Sequence, residues 1–137
     1  MPLIFDLHHA SLLVADTARS LAFYRDLLGL SVDPTRPDLG FPGVWLQVGR
    51  CQIHLLELPN PDPVAGRPAH GGRDRHVALM VADLEPLLAR LAAAGVPSTM
   101  SRSGRRALFC RDPDGNALEF MEVRDGPECR SAGADRG

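Results

Sequence analysis

Apolar and polar positions along the chain form a pattern that occurs twice. His9-Ala-Ser-Leu-Leu-Val-Ala-Asp16 reads as a short strand running into a polar stop. His76-Val-Ala-Leu-Met-Val-Ala-Asp83 repeats it with His, Leu, Val, Ala and Asp at the same steps. After Asp16, an N-cap residue, Leu21, Tyr24, Leu27 and Leu28 recur at helical spacing as far as Gly29. After Asp83, Leu84, Leu87, Leu88 and Leu91 do the same as far as Gly95. Each copy therefore predicts strand, cap, helix, glycine. Beyond the helices, the stretches 44–48 and 52–58 in the first half and 107–110 and 116–123 in the second read as strands. Asp112-Pro113-Asp114-Gly115 joins the last two as a turn, with Pro fixing φ at one corner and Gly accepting the positive φ after it.

Two copies of one strand-helix-strands pattern predict an α+β fold. The expected organisation is a single domain over 1–123, with one module at 5–58, a Pro- and Gly-rich linker at 59–72 and a second module at 73–123. The segment 124–137 offers little to bury and is expected to be a disordered tail. The loop 33–43 is also rich in Pro and Gly, so it and the region 59–75 shape whatever pocket forms.

Composition narrows the functional classes. With 45% hydrophobic residues in 137, a core forms without staples. A formal net charge of −2 supplies no basic field for nucleic acid or an anionic membrane surface. No apolar run approaches the ~20 residues that a membrane-spanning helix needs. All 15 basic residues are Arg, which excludes a Schiff-base lysine and leaves planar guanidinium forks for anionic substrate groups. Cys51, Cys110 and Cys129 form no CxxC pair, and no basic, long apolar leader opens the chain, so a reduced cytoplasmic protein is expected.

The candidate chemistry tracks the repeat. His9 and His76 stand on the opening strands, and His54 and Glu119 on later strands of each half. Because side chains alternate along a strand, one residue per strand can face a common point, which is what a metal site requires. Ser11 shares a face with His9 and is expected to meet substrate. His8 falls on the opposite face and reads as structural, and His70 lies in the linker, at the surface or a pocket rim. Arg102, Arg105, Arg106 and Arg111 surround the last hairpin. Arg105 and Arg106 are candidates for holding a substrate carboxylate or phosphate, the alternative being a solvated basic loop. Cys110, in an apolar strand, reads as a small core residue.

HHASLLVADTARSLAFYRDLLGL, RHVALMVADL and DPDGNALEFMEV resemble the opening, middle and closing motifs of the vicinal oxygen chelate superfamily, the glyoxalase/bleomycin resistance protein/dioxygenase group, over residues 5–123. The resemblance implies two βαβββ modules curled into a half-barrel, and a homodimer. It also implies one divalent metal ion, Fe, Ni, Mn, Co or Zn, on His9, His54, His76 and Glu119. His54 stands where glyoxalases and epimerases often carry Glu or Gln, a departure that keeps a donor.

A chain of this kind is expected to be a glyoxalase-like lyase or isomerase for a small substrate that chelates metal through adjacent oxygens, with Glu119 and His54 as catalytic residues. The alternatives are an iron(II) ring-cleaving dioxygenase using His9, His76 and Glu119, and a thiol transferase, which the lack of lysine disfavours. A metal-free protein binding a drug-like ligand is the alternative of another class.

Overall fold

The structure, a computed structural model, describes residues 2–123. The tail expected at 124–137 lies outside the described residues. The chain divides into two compact units within the predicted linker, at Arg67 and Pro68. The first unit runs to Arg67 and also takes in Asp112–Asn116. The second comprises Pro68–Arg111 and the chain from Ala117 on.

The first unit has the βαβββ order. Its elements are β1 (His9–Val14), α1 (Thr17–Leu21), β2 (Ser31–Asp33), β3 (Gly43–Val48) and β4 (Cys51–Glu57). The strands form one sheet in the order β1-β4-β3-β2, with β1 and β4 parallel. Asp16 caps α1 through the amide of Arg19, as its position predicts. Glu57, at the end of β4, accepts from the amide of Thr17 at 2.8 Å, which ties the helix start to the sheet.

From Ala22 to Leu27 the helix widens into a π-helix. The amide of Leu28 reaches back to the carbonyl of Phe23 at 2.9 Å. The extra residue in this turn lets adjacent Phe23 and Tyr24 both bury their rings. Gly29 then ends it at φ 81°, a conformation that costs any other residue a Cβ clash.

The second unit repeats the order with β5 (His76–Val81), α2 (Leu84–Ala93), β6 (Thr99–Met100), β7 (Ala107–Arg111) and β8 (Ala117–Glu122). Its sheet runs β5-β8-β7-β6, with β5 and β8 parallel. The capping also repeats. Asp83 accepts from the amide of Glu85, and Glu122 at the end of β8 accepts from the amide of Leu84 at 3.1 Å. Leu84 and Leu91 of α2 are fully buried, and so are Leu108 of β7 and Leu118 of β8. Cys110 is buried in β7, as a small core residue should be. No helix among the described residues is long and apolar enough to cross a membrane.

The DPDG turn does more than reverse the chain. Asp112 is 5% exposed. It accepts from the amides of Asp114 and Asn116, from the Asn116 side-chain amide, and from the Tyr24 hydroxyl at 2.7 Å. Burial raises its pKa above the ordinary carboxylate value, and hydrogen bonds from Asn116, Tyr24 and Asp114 pull it back.

A carboxyl with a raised folded pKa contributes stability that is complete below its unfolded value and lost as pH rises through the folded one. Tyr24→Phe removes a donor that favours the ionised form. The substitution should therefore cost about 1–3 kcal/mol, more at about pH 8 than at about pH 4. Urea denaturation of both proteins at the two pH values measures this, and an equal cost at both would show that Asp112 does not ionise against Tyr24.

Candidate metal and substrate site

In the first unit, β4 lies between β1 and β3, so Ser11 and Trp45 stand directly opposite His54. His54 is 8% exposed. Its ring is stacked between two others, His9 at 3.9 Å and 16°, and Trp45 at 4.6 Å and 12°. Its Nε2 lies 2.8 Å from Oε1 of Gln52. Burial holds its pKa below the usual histidine value, helped by His9, His8 and Arg36 and opposed by Asp33. His54 is thus a neutral imidazole with a lone pair near neutral pH. His9 is exposed beside it, with Nδ1 2.7 Å from Nδ1 of His8, so one of those nitrogens carries the shared proton. Ser11 is exposed on β1.

The second unit uses the same register. Ala78 and Phe109 stand opposite Glu119 as Ser11 and Trp45 do opposite His54. Glu119 is 5% exposed, and its Oε2 lies 3.3 Å from Nε2 of His76. Nδ1 of His76 is 2.9 Å from the carbonyl of Asp74. A carbonyl only accepts, so Nδ1 carries a proton, and Nε2 faces the carboxylate of Glu119. A histidine held by a carbonyl on one nitrogen and facing a carboxylate with the other is the donor chemistry of a divalent metal ligand pair.

His76 and Glu119 line a cleft of about 620 Å³, with Phe109 and His70 also in its wall. Phe109 sets its edge against His76 at 5.2 Å and 86°. His70, expected at the surface or a rim, caps a 3-10 turn at Gly71–Arg73 by accepting from the amide of Gly72. Its Nε2 is buried without a hydrogen-bond partner among the described residues.

Arg73, Arg102 and Arg105 also line the cleft. The other two hairpin arginines are engaged elsewhere. Arg106 binds Glu122 at 2.9 Å and Glu85 at 2.6 Å. Arg111 binds Asp74 at 2.8 Å. Of the two arginines expected to hold substrate, Arg105 faces the cleft and Arg106 ties β8 to α2.

Among the described residues, no three His, Cys, Asp or Glu side chains gather closely enough to hold one metal ion. The candidate donors come as two pairs, His9 with His54 and His76 with Glu119. Sequence reasoning overlooked Gln52, Asp33, Trp45 and Phe109. Gln52 was findable, since it precedes His54 by one strand period and so shares its face.

Residues 6–120 match the family described as Glyoxalase/Bleomycin resistance protein/Dioxygenase superfamily. The chain belongs to this superfamily.

Among curated relatives, the uncharacterized protein YaeR of Escherichia coli (strain K12) is 31% identical, covering 84% of this chain and 94% of that protein. Glyoxylase I 4 of Arabidopsis thaliana is 29% identical over 83% of this chain and 68% of its own. A solved structure of lactoylglutathione lyase from Agrobacterium tumefaciens superposes with a TM-score of 0.64 at 24% identity, covering 92% of this chain and 99% of that one, which shows the fold. The superfamily includes enzymes that use divalent metals, and both donor pairs fit such an ion in their chemistry.

His54 should titrate below the ordinary value of 6.5, and His9→Ala should move it upward. Because the folded pKa is depressed, the ring's contribution to stability is present above its unfolded value and lost as pH falls through the folded one. Ring-proton NMR across that range is the measurement, and a His54 titrating at or above 6.5 in the intact protein would mean that the stacked, buried ring is not maintained in solution.

Proposed function

We propose that the protein is a divalent-metal-dependent lyase or isomerase acting on a small anionic substrate that presents adjacent oxygens. The observation that carries this reading is the His76 and Glu119 pair, an imidazole nitrogen and a buried carboxylate 3.3 Å apart at a cleft, with Nδ1 of His76 turned to the carbonyl of Asp74. His9, His54, His76 and Glu119 are the proposed ligand set, and their imidazole and carboxylate chemistry suits Fe, Ni, Mn, Co or Zn. When bound, such an ion supplies Lewis acidity to a substrate oxygen.

The chain's own groups supply the rest. Glu119, a buried carboxylate, takes a proton from the carbon beside the substrate carbonyl and returns it. Where the ion is held by His9, His76 and Glu119 alone, His54, neutral near pH 7, is free to accept a second proton. Arg105 holds the substrate's carboxylate or phosphate from the cleft wall. Ser11, exposed and opposite His54, donates a hydrogen bond to substrate. Phe109 closes one side against water.

That no three candidate donors gather among the described residues favours a second reading, a metal-free ligand-binding protein. Elemental analysis of protein purified without chelators separates the two. About one metal ion per chain is expected, lost in Glu119→Ala and weakened in His54→Ala. Metal retained in full by His54→Ala points to a three-donor dioxygenase-type site. No metal, with no thermal shift on adding nickel or iron, points to ligand binding. For the metal-loaded protein, deuterium exchange from solvent into small 2-hydroxy and 2-oxo acids should fall about 100-fold or more in Glu119→Gln.

A further inference from the structure

Hydrogen bonds around His54 decide which of its two nitrogens is available. Two backbone carbonyls, which can only accept, set the pattern. Nε2 of Gln47 lies 2.8 Å from the carbonyl of Gly49 and 3.2 Å from that of Cys51, so the Gln47 amide nitrogen faces them and its Oε1 is turned to Gln52. Nε2 of Gln52 then donates to Oε1 of Gln47 at 2.9 Å and to Oδ2 of Asp33 at 2.8 Å. Asp33 is itself held as an acceptor by the amide and hydroxyl of Thr35, at 2.9 and 2.7 Å.

With both protons of Gln52 committed, its Oε1 is what faces His54, at 2.8 Å from Nε2. An oxygen there requires a proton on Nε2. The neutral His54 ring therefore keeps its lone pair on Nδ1, which has no partner among the described residues. Stacking by His9 on one face and Trp45 on the other fixes the plane of the ring.

We infer that Gln52, oriented by Asp33 and Gln47, is a positioning residue that fixes His54 as the Nε2–H tautomer and so makes Nδ1 the atom offered to a metal. This rests on the metal reading of His54 above. The second unit has no counterpart, since the register opposite His76 places Ala117 where Gln52 stands opposite His9. There Nδ1 of His76 donates to the carbonyl of Asp74 and Nε2 faces Glu119. Opposite ring nitrogens thus face the acceptors that orient the two histidines, Nε2 in His54 and Nδ1 in His76.

The test uses the full chain free of metal. Long-range nitrogen–proton NMR distinguishes a protonated Nε2 from a protonated Nδ1 in His54, and nickel titration by calorimetry reads affinity. Wild type should show the Nε2–H pattern, and Gln52→Met should show a mixture of tautomers with nickel affinity lowered about 10- to 100-fold. A far-ultraviolet circular dichroism spectrum of Gln52→Met matching that of wild type guards against a result caused by misfolding. A protonated Nδ1 in wild type overturns the inference whatever the metal does, and so does a Gln52→Met protein with unchanged tautomer and affinity. A wild type with the expected tautomer that binds no nickel overturns the metal reading instead, and with it the donor role of Nδ1.

Discussion

Asp112 is the constraint around which the first unit is arranged. A carboxylate that is 5% exposed is tolerable only if its oxygens are satisfied, and four donors converge on it. Meeting that demand fixes everything nearby. Asn116, holding Asp112, also donates to the carbonyl of Leu13 in β1 at 3.1 Å. Asp114 accepts from the amide of Ala15 at 3.0 Å and from Arg19 at 2.8 Å. The turn thereby grips the end of β1 and the first helix together, and β1 carries His9 against His54. Tyr24, buried beside Phe23 in the π-helical turn, reaches the DPDG turn with its hydroxyl.

Repetition explains both what the two units share and where they part. Each joins its helix start to its last strand through a glutamate, Glu57 or Glu122, and each sets an aromatic ring opposite a candidate site residue, His54 or Glu119. The differences lie in polarity. His54 sits in a stack of flat rings with a chain of amides behind it, while Glu119 sits beside a histidine fixed by one backbone carbonyl. The cleft lined by Arg73, Arg102 and Arg105 belongs to the second unit, whereas Arg106 and Arg111, their neighbours in sequence, are used in ion pairs.

Much of this was legible in the residues. The repeat, both aspartate caps and both glycine stops rest on local chemistry, which a short window of sequence contains. Strands of three and two residues, Ser31–Asp33 and Thr99–Met100, are too short to display a period and were invisible. The π-helix was hidden because Leu21, Tyr24 and Leu28 satisfy an ordinary helical pattern, and only burial of adjacent Phe23 and Tyr24 betrays the extra residue. The four candidate donors could be named from their places in the repeat. Their surroundings could not: Trp45 meets His54 through cross-strand register, and Arg106 turned away from the cleft because Glu85 and Glu122, distant in sequence, lie within its reach.

The face-to-face contact between Trp45 and His54 gives the protein an optical property of its own. Trp45 is the sole tryptophan of the chain, so its emission reports one place. An imidazolium stacked on an indole at 4.6 Å dims that emission, as does a paramagnetic ion on the same imidazole. Changes in the charge or occupancy of His54 are thereby written into the fluorescence of the unlabelled protein.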